Sequence, residues 1–530
     1  MRPWITWPAA AASLLLLNAS LTFANVWPTA KIRWENALSV ELAACVLLLV
    51  AGHRRAGGLA RRVLPTLWVV LVLGHYLDVT APGLYGREFN LYWDSQHLGN
   101  VWAMLVRDVP LWITASAVTG FLLVVSAVGI VARVAWSQLA AAAAHRGPRV
   151  ALGSAATLVL ALFAATMVSE RVGASVTFAD PVSRAYLRQA RYVAAMAGPG
   201  RAAPALGESP DLDSSLEGLR DADVLLAFVE SYGAVTYDNP AMAEHLAPSR
   251  EDLAASIRDA GREVVSAYLD SPTFGGSSWL AHLSLLTGVD VRDQYAYVAV
   301  MASSRDTLPK AFARRGYRSI ALMPGMRQAW PEGAFYGFDF IYGRNDLQYQ
   351  GPKFGWWSIP DQYTLAKFDA AELERAPRPP VFAVFPTSTT HAPFGPVAPY
   401  QPDWSKVLGP NAFDPADVNR AMADTPDLTN LSPSYVKAVA YELTTFAGYI
   451  REHAGDNLVM ILVGDHQPVA AVSGKSAPHD VPIHVVASPG AVLDRLRAAG
   501  FTDGLEPRRP ALGSMHALVP TLMGAFGGHR

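Results

Sequence analysis

Residues 457–467 read NLVMILVGDHQ, an apolar run that ends in Asp465 and His466. Two other stretches have the same form: DVLLAFV leads into Glu230, and VFAVFP leads into TSTTHAPF with His391. Helical patterns such as SYVKAVAYELTTFAGYIREH separate these runs, which predicts a mostly parallel sheet with helices on both faces. Because such sheets hold their sites at the carboxyl ends of the strands, we expect these polar residues to meet there.

Each of these polar residues also has an ordinary structural alternative. Glu230 could be a helix cap, and His391 could be a loop histidine with its hydrogen bonds satisfied. The pair Asp465 and His466 could form a polar turn. Their joint occurrence after three apolar runs favours chemistry, because carboxylates and imidazoles are common metal ligands and acid or base groups.

A fourth stretch, SPTFGGSSWLAHLSLLTG at 271–288, places two glycines before Ser277 and Ser278. The residues WLAHLSLL predict a helix, so a hydroxyl lies at its amino terminus. Such an end attracts anions, including phosphate. The alternative is an ordinary N-cap, for which serine is a preferred residue.

Taken together, Glu in FVESYG, a hydroxyl in GGSSW, His in TTHAPF and Asp-His in VGDHQP resemble the alkaline phosphatase and sulfatase superfamily. The pattern is most similar to its membrane-anchored branch, typified by lipoteichoic acid synthases and relatives that move phosphoglycerol or phosphoethanolamine head groups. The resemblance implies a five-helix transmembrane domain followed by an extracytoplasmic α/β domain of alkaline phosphatase/sulfatase type.

The resemblance also implies a metal site. Glu230, Asp465, His466 and the Ser277 oxygen are expected to bind a divalent ion, and the oxygen and nitrogen ligands fit Mn, Mg or Zn without choosing between them. Ser277 is expected to be the nucleophile, with the adjacent Ser278 as its rival. The family more often has threonine at this position.

A substrate side is implied in the same way. His391 is expected to act in catalysis, by donating to phosphate oxygens or by protonating a leaving alkoxide. The residues expected to bind substrate are His391, Asp361, Trp357 and Ser278.

Five further residues have weaker assignments. An arginine that the family carries after an aromatic pair has no clear counterpart, and Arg327 and Trp330 are the nearest candidates. His282 and His484 are expected to be structural, while His479 stays open between the site and the core.

The first 170 residues contain five long apolar runs, roughly 7–24, 37–52, 63–82, 110–132 and 149–168. Most of these runs are long enough to cross about 30 Å of hydrocarbon. We therefore predict a five-helix transmembrane domain at 1–170, a linker at 171–220 and a catalytic domain at 221–530. The flanks with more arginine are expected to be cytoplasmic, which places the catalytic domain outside the cell membrane. The resemblance implies a multi-pass protein of a bacterial inner membrane.

Composition supports a membrane protein and excludes several other classes. The 530 residues are 51% hydrophobic and 17% charged, against about a quarter charged in ordinary soluble domains. A net charge of −2 provides no basic surface for nucleic acid. The single cysteine, Cys45, excludes an intramolecular disulfide and a cysteine-built zinc site.

The expected function is metal-dependent transfer of a phosphorylated head group through a phosphoserine intermediate. The donor is a membrane phospholipid, and the acceptor is a glycan, a lipid or a polymer. One alternative is a membrane-anchored hydrolase of the same fold, although the C/S-x-P-x-R pentapeptide of true sulfatases does not occur. Another is a non-catalytic envelope binding protein on the same fold.

Overall fold

The computed structural model describes most of the chain. The described residues are 6–26, 31–52, 58, 62–85, 89–96, 98, 99, 102, 111–167, 177–197, 206–326, 330, 332–474 and 477–528. They divide into two compact units, one formed by Met1–Gly83 with Arg87–Arg201 and the other by Leu84–Gly86 with Ala202–Arg530.

The first unit is helical. Its helices are Thr6–Ala19, Val40–Ala51, Leu64–Tyr85, Leu91–Gln96, Leu111–Ala143, Arg146–Thr166 and Val182–Ala197. A short antiparallel pair joins β1 (Ala24–Asn25) to β2 (Ile32–Arg33). Its buried core includes the indoles of Trp68 and Trp136, which meet edge-to-face with ring centroids 5.3 Å apart.

Three helices of this unit are long and apolar enough to cross a membrane: Leu64–Pro82, Leu111–Ala143 and Arg146–Thr166. The predicted spans at 7–24 and 37–52 are shorter in the described residues. They form helices of 14 and 12 residues, or about 21 and 18 Å at 1.5 Å per residue. The prediction of five full spans is therefore confirmed for three, since the other two described helices are shorter than the hydrocarbon core.

The second unit holds an eight-stranded sheet. Its strands are β3 (Asp223–Val229), β4 (Glu263–Asp270), β5 (Arg318–Leu322), β6 (Phe340–Tyr342), β7 (Val381–Pro386), β8 (Leu458–Gly464), β9 (Asp480–Ala487) and β10 (Thr502–Asp503). Its α-helices are Val235–Asp238, Pro240–Asp259, Ser278–Thr287, Gln294–Met301, Leu308–Ala313, Gly333–Tyr336, Arg344–Leu347, Asp361–Phe368, Pro415–Ala423, Ser432–Glu452, Ala470–Ser473, Ala491–Ala498 and Leu518–Phe526. A π-helical turn spans Asp369–Leu373, and 3₁₀ turns span Glu217–Leu219, Trp404–Lys406 and Met515–Ala517.

The strand order is β10-β4-β9-β8-β3-β7-β5-β6. The five strands from β8 to β6 are parallel, as the alternation of apolar runs and helices predicts. The other three strands make antiparallel pairs, β8 with β9, β9 with β4 and β4 with β10. The sheet is therefore mixed, and the predicted parallel arrangement holds for the five strands from β8 to β6.

Both faces of the sheet are covered. Along β3, Leu226 and Phe228 belong to one buried cluster and Leu225 and Ala227 to the other. This alternation, in a strand that is apolar throughout, is typical of a strand buried on both faces. Within the segment predicted as a linker, Leu212, Leu216 and Leu219 are buried in the first of these clusters.

Candidate active site

Strand register brings the first two acidic residues together. In the parallel pair β3 and β8, Val229 lies opposite Gly464, so Glu230 and Asp465 follow side by side at the carboxyl ends. Glycine is required at 464, because a Cβ there would lie 1.9 Å from the carbonyl oxygen of Tyr232. The predicted meeting of these strand ends is present in the structure.

Buried hydrogen bonds hold this acidic pair. The amide of Ser231 donates to Asp465 Oδ1 at 2.8 Å, and the amide of His466 donates to the same oxygen at 2.7 Å. The Ser231 hydroxyl donates to Glu230 Oε1 at 3.0 Å, and the Glu230 amide donates to Thr387 Oγ1 at 3.1 Å. Asp465 and His466 are almost completely buried, and Glu230 is 8% exposed.

His466 presents a free ring nitrogen to this cluster. Its Nδ1 lies 2.7 Å from the carbonyl oxygen of Gln467, which only accepts, so Nδ1 carries the proton. Nε2 is therefore the unprotonated nitrogen of the neutral ring, and it lies 3.4 Å from Glu230 Oε1. A backbone carbonyl that fixes the tautomer in this way is typical of a metal-binding histidine.

The hydroxyl in this cluster belongs to Ser278, the first residue of the helix Ser278–Thr287. Its Oγ donates to Glu230 Oε2 at 2.9 Å and lies 3.0 Å from His466 Nε2. Ser277 precedes the helix in a left-handed conformation with φ 64°, and its side chain makes no capping hydrogen bond. Of the two candidate serines, Ser278 therefore has its hydroxyl in the cluster, because the helix begins at Ser278 and directs that side chain toward Glu230 and His466. The choice of Ser277 as nucleophile stays a prediction, and this geometry favours its rival.

The charges of the cluster are strongly coupled. Burial raises the pKa of the Glu230 carboxyl, and the neighbouring Asp465 charge raises it further. Burial also opposes the charged form of Asp465, but the adjacent His466 lowers the pKa of that carboxyl below its ordinary value. Two buried carboxylates so close together favour a cation between them.

A divalent metal ion fits this donor set. Glu230, Asp465 and His466 each offer a ligand atom, and the three atoms lie within 4.8 Å of one another. Asp465 Oδ2 is buried and has no hydrogen-bond partner among the described residues, which leaves a charged oxygen free to bind an ion. Carboxylate, imidazole and hydroxyl donors without a thiolate suit Mn, Mg or Zn.

His391 lies between two indoles. Its ring stacks on Trp356 with centroids 6.1 Å apart and planes at 7°, and Trp357 meets it edge-on at 5.5 Å. Its Nδ1 lies 2.7 Å from the carbonyl of Ala392, so Nε2 is the nitrogen left for a substrate. A positive charge on His391 would oppose the rise in the pKa of the Glu230 carboxyl.

Asp361 anchors the loop on which His391 stands. It is fully buried, and its carboxylate accepts hydrogen bonds from the amides and hydroxyls of Ser388 and Thr389 at 2.5–3.0 Å. These contacts favour a supporting role for Asp361, while its predicted contact with substrate stays a prediction.

The remaining candidate residues differ in where they lie in the structure. Arg327 lies outside the described residues, and Trp330 packs on Tyr336 with ring centroids 5.2 Å apart. His484 is fully buried beside Ser266 and Tyr232, and burial lowers its pKa to about 3, as expected of a structural histidine. Trp356, which is 42% exposed and stacks on His391, is a neighbour of the site that no sequence motif selected.

With this geometry established, the comparison with protein families is informative. Residues 283–528 match the sulfatase family. The match begins just after the serine pair, so Glu230 and Ser278 precede the matched residues in sequence. The predicted resemblance to the alkaline phosphatase and sulfatase superfamily is confirmed, and the match supports a sulfatase-like enzyme.

Several solved structures are similar to this sulfatase-like enzyme. The lipooligosaccharide phosphoethanolamine transferase A from Neisseria meningitidis is 15% identical, with 97% of this chain and 95% of that chain covered and a TM-score of 0.47. The lipoteichoic acid synthase LtaP from Listeria monocytogenes is 14% identical, with 60% and 77% covered and a TM-score of 0.36. The phosphoglycerol transferase GacH from Streptococcus pyogenes is 14% identical, with 51% and 72% covered and a TM-score of 0.32. No curated protein sequence matches the chain.

Proposed function

We propose that this sulfatase-like enzyme transfers a phosphorylated head group, phosphoglycerol or phosphoethanolamine, from a membrane phospholipid to an envelope acceptor. The acceptor class is a glycan, a lipid or a polymer end. The observation that carries the proposal is the position of the Ser278 hydroxyl, 2.9 Å from Glu230 and 3.0 Å from His466. A serine held against buried carboxylate and imidazole groups at a helix amino terminus is suited to attack phosphorus.

The proposed transfer has two balanced steps. In the first, Ser278 Oγ forms a bond to phosphorus, the bond from phosphorus to the diacylglycerol oxygen breaks, and the serine proton ends on the released diacylglycerol. In the second, an acceptor hydroxyl bonds to the same phosphorus, the serine–phosphorus bond breaks, and the acceptor proton returns to Ser278. Both steps need an acid or base for the exchanging oxygens, and the proposal assigns that role to His391.

Each residue of the site has a specific part in this scheme. Glu230, Asp465, His466 and the Ser278 oxygen would hold a divalent ion, which would lower the pKa of the hydroxyl and offset phosphate charge. His391 Nε2 is the ring nitrogen without a backbone contact, and in the protonated ring it would donate to a phosphate oxygen or to the leaving oxygen. Trp356 and Trp357 fix the ring of His391 from two sides.

The membrane setting supports a lipid donor. Three described helices are long and apolar enough to span a bilayer, so the same chain that binds the phosphodiester is expected to lie at a lipid surface. The proposed location is a bacterial inner membrane with the catalytic domain on the extracytoplasmic side. The motif E-S-aromatic after β3 slightly favours phosphoglycerol over phosphoethanolamine.

The experiment is a head-group release assay. Purified full-length enzyme with added Mn, Mg or Zn is incubated with fluorescent phosphatidylglycerol or phosphatidylethanolamine, and diacylglycerol is measured. Diacylglycerol from one lipid, absent with Ser278→Ala, supports the proposal and identifies the donor. Diacylglycerol from neither lipid, in the presence of a metal that binds, argues for hydrolysis of a non-lipid phosphodiester.

A further inference from the structure

His282 faces the oxygen of Asp465 that the other hydrogen bonds leave free. Its Nε2 lies 3.6 Å from Asp465 Oδ2, and the two side chains are 15% and 0% exposed. Among the described residues, neither atom has a hydrogen-bond partner. Because a buried donor or acceptor without a partner is destabilising, two such atoms of complementary type this close together indicate a functional pair.

The position of His282 on its helix connects this pair to the nucleophile. His282 follows Ser278 by four residues in the helix Ser278–Thr287, so the two side chains lie on the same helical face. The imidazole also packs on Phe228 of β3, with ring centroids 4.3 Å apart. Its ring is therefore held against the strand that leads to Glu230, between the helix of the serine and the carboxylate of Asp465.

We propose that His282 is a positioning residue of the metal site, a role that rests on the proposed function. In this role His282 Nε2–H donates to Asp465 Oδ2, while the amides of Ser231 and His466 donate to Oδ1. A carboxylate oxygen has two lone pairs, so Oδ2 can accept this proton and still bind an ion. The separation of 3.6 Å is a few tenths of an ångström beyond a hydrogen bond and closes with a small rotation.

The proposed contact would couple the position of Ser278 to that of Asp465. Asp465 stands at the end of β8 and Ser278 at the start of a helix that follows β4, so their alignment depends on contacts across the site. His282 provides such a contact at Asp465 Oδ2. Residues that orient metal ligands in this way typically account for about 10–100-fold in metal affinity.

The test compares variants that keep or remove the donor. In His282→Gln the amide nitrogen takes the approximate place of Nε2, whereas His282→Leu and His282→Phe have no donor, and the phenyl ring keeps the contact with Phe228. Mn²⁺ or Zn²⁺ affinity is measured on the purified full-length protein by titration, without any substrate. His245→Gln, at an exposed histidine of the helix Pro240–Asp259, is the control.

The expected result is a loss of about 10–100-fold in metal affinity for His282→Leu and His282→Phe, with His282→Gln close to the unmodified protein. Affinity unchanged in both donor-free variants overturns the proposal, as does an equal loss in His282→Gln. If the donor-free variants fail to fold, His282→Gln decides the question alone, since a weakened affinity there contradicts a role for the N–H donor and an intact affinity supports it.

A separate variant distinguishes this inference from the proposed function. Asp465→Asn removes the proposed ligand itself. If Asp465→Asn retains the metal, the proposed metal site fails; if it loses the metal while His282→Phe retains it, only the role of His282 fails.

Discussion

The Ser278 hydroxyl and the Glu230 carboxylate lie 2.9 Å apart, although 48 residues separate them in sequence. Glu230 is placed by the end of β3 and Ser278 by the start of a helix, and His466 closes the group from the end of β8 at 3.0 Å. Three separate elements thus bring a hydroxyl, a carboxylate and an imidazole together at one buried site. This convergence distinguishes the group from an ordinary helix cap.

The identity of the nucleophile is tested by a pair of neighbouring variants. Ser278→Ala removes the proposed attacking oxygen, so head-group release should fall by at least about 10³-fold. Ser277→Ala should retain most of the activity, because among the described residues no hydrogen bond joins that side chain to Glu230 or His466. Diacylglycerol formation measures both. The reverse pattern would return the role to Ser277.

Metal binding is expected to depend on Asp465. Asp465→Asn removes a charge from a buried ligand, and affinity for the divalent ion should fall by more than about 100-fold, beyond the loss typical of supporting residues. Titration of the purified protein with Mn²⁺ or Zn²⁺ measures the change. Asp494→Asn, at an exposed carboxylate, is the matched control. Undiminished affinity in Asp465→Asn would contradict the ligand assignment.

The sequence predicts the strand ends well because their pattern is local. The apolar runs before Glu230, His391 and Asp465 are strands, and parallel register sets the first and last of these residues side by side. The choice between Ser277 and Ser278 depends on the residue at which the helix begins, which is a difference of one position. Periodicity does not resolve helix ends to that precision.

Other features depend on tertiary contacts that no local pattern shows. Asp361 is in a segment resembling a family motif, but its partners Ser388 and Thr389 lie 27 and 28 residues away. The antiparallel strands β4 and β9 have the same apolar texture as the parallel strands, so strand direction is not visible in the sequence. The proximity of His282 to the site could have been predicted from the sequence, since His282 follows Ser278 by about one helical turn.

The loop that holds His391 is expected to depend on Asp361. Asp361→Ala leaves two amides and two hydroxyls without their acceptor, at about 1–3 kcal/mol for each buried group. We expect the melting temperature to fall by more than about 5 °C and head-group release to fall with it. Asp346→Ala, which removes an exposed acceptor of the Gly343 amide, provides the control. Equal melting temperatures for the two variants would exclude the anchoring role.

A pH-dependent contribution to stability is expected at His453, which lies between the helix Ser432–Glu452 and the amino end of β8. Burial opposes its charged form, but hydrogen bonds to Asp369 at 3.0 Å and Asp456 at 2.6 Å raise the pKa of His453 above its ordinary value. A raised folded-state pKa stabilises the protein fully below the unfolded pKa of about 6.5, and this stabilisation is lost as pH rises through the folded value.

The variant His453→Gln tests this contribution. It should lower the melting temperature by about 2–4 °C at pH 6, and the difference from the unmodified protein should shrink as pH rises toward 9. Thermal unfolding at a series of pH values measures the difference. A difference that stays constant with pH would show that the charge of His453 contributes nothing.

The most direct test of the central claim is detection of the covalent intermediate. Metal-loaded enzyme is mixed with the donor lipid without acceptor, quenched in acid and digested with trypsin. Trypsin releases the peptide 263–292, which contains both Ser277 and Ser278. Fragmentation by mass spectrometry should locate the phosphorylated head group on Ser278, and no adduct should form in Ser278→Ala. An adduct on Ser277, or diacylglycerol release with no serine adduct in rapidly quenched samples, would contradict the account.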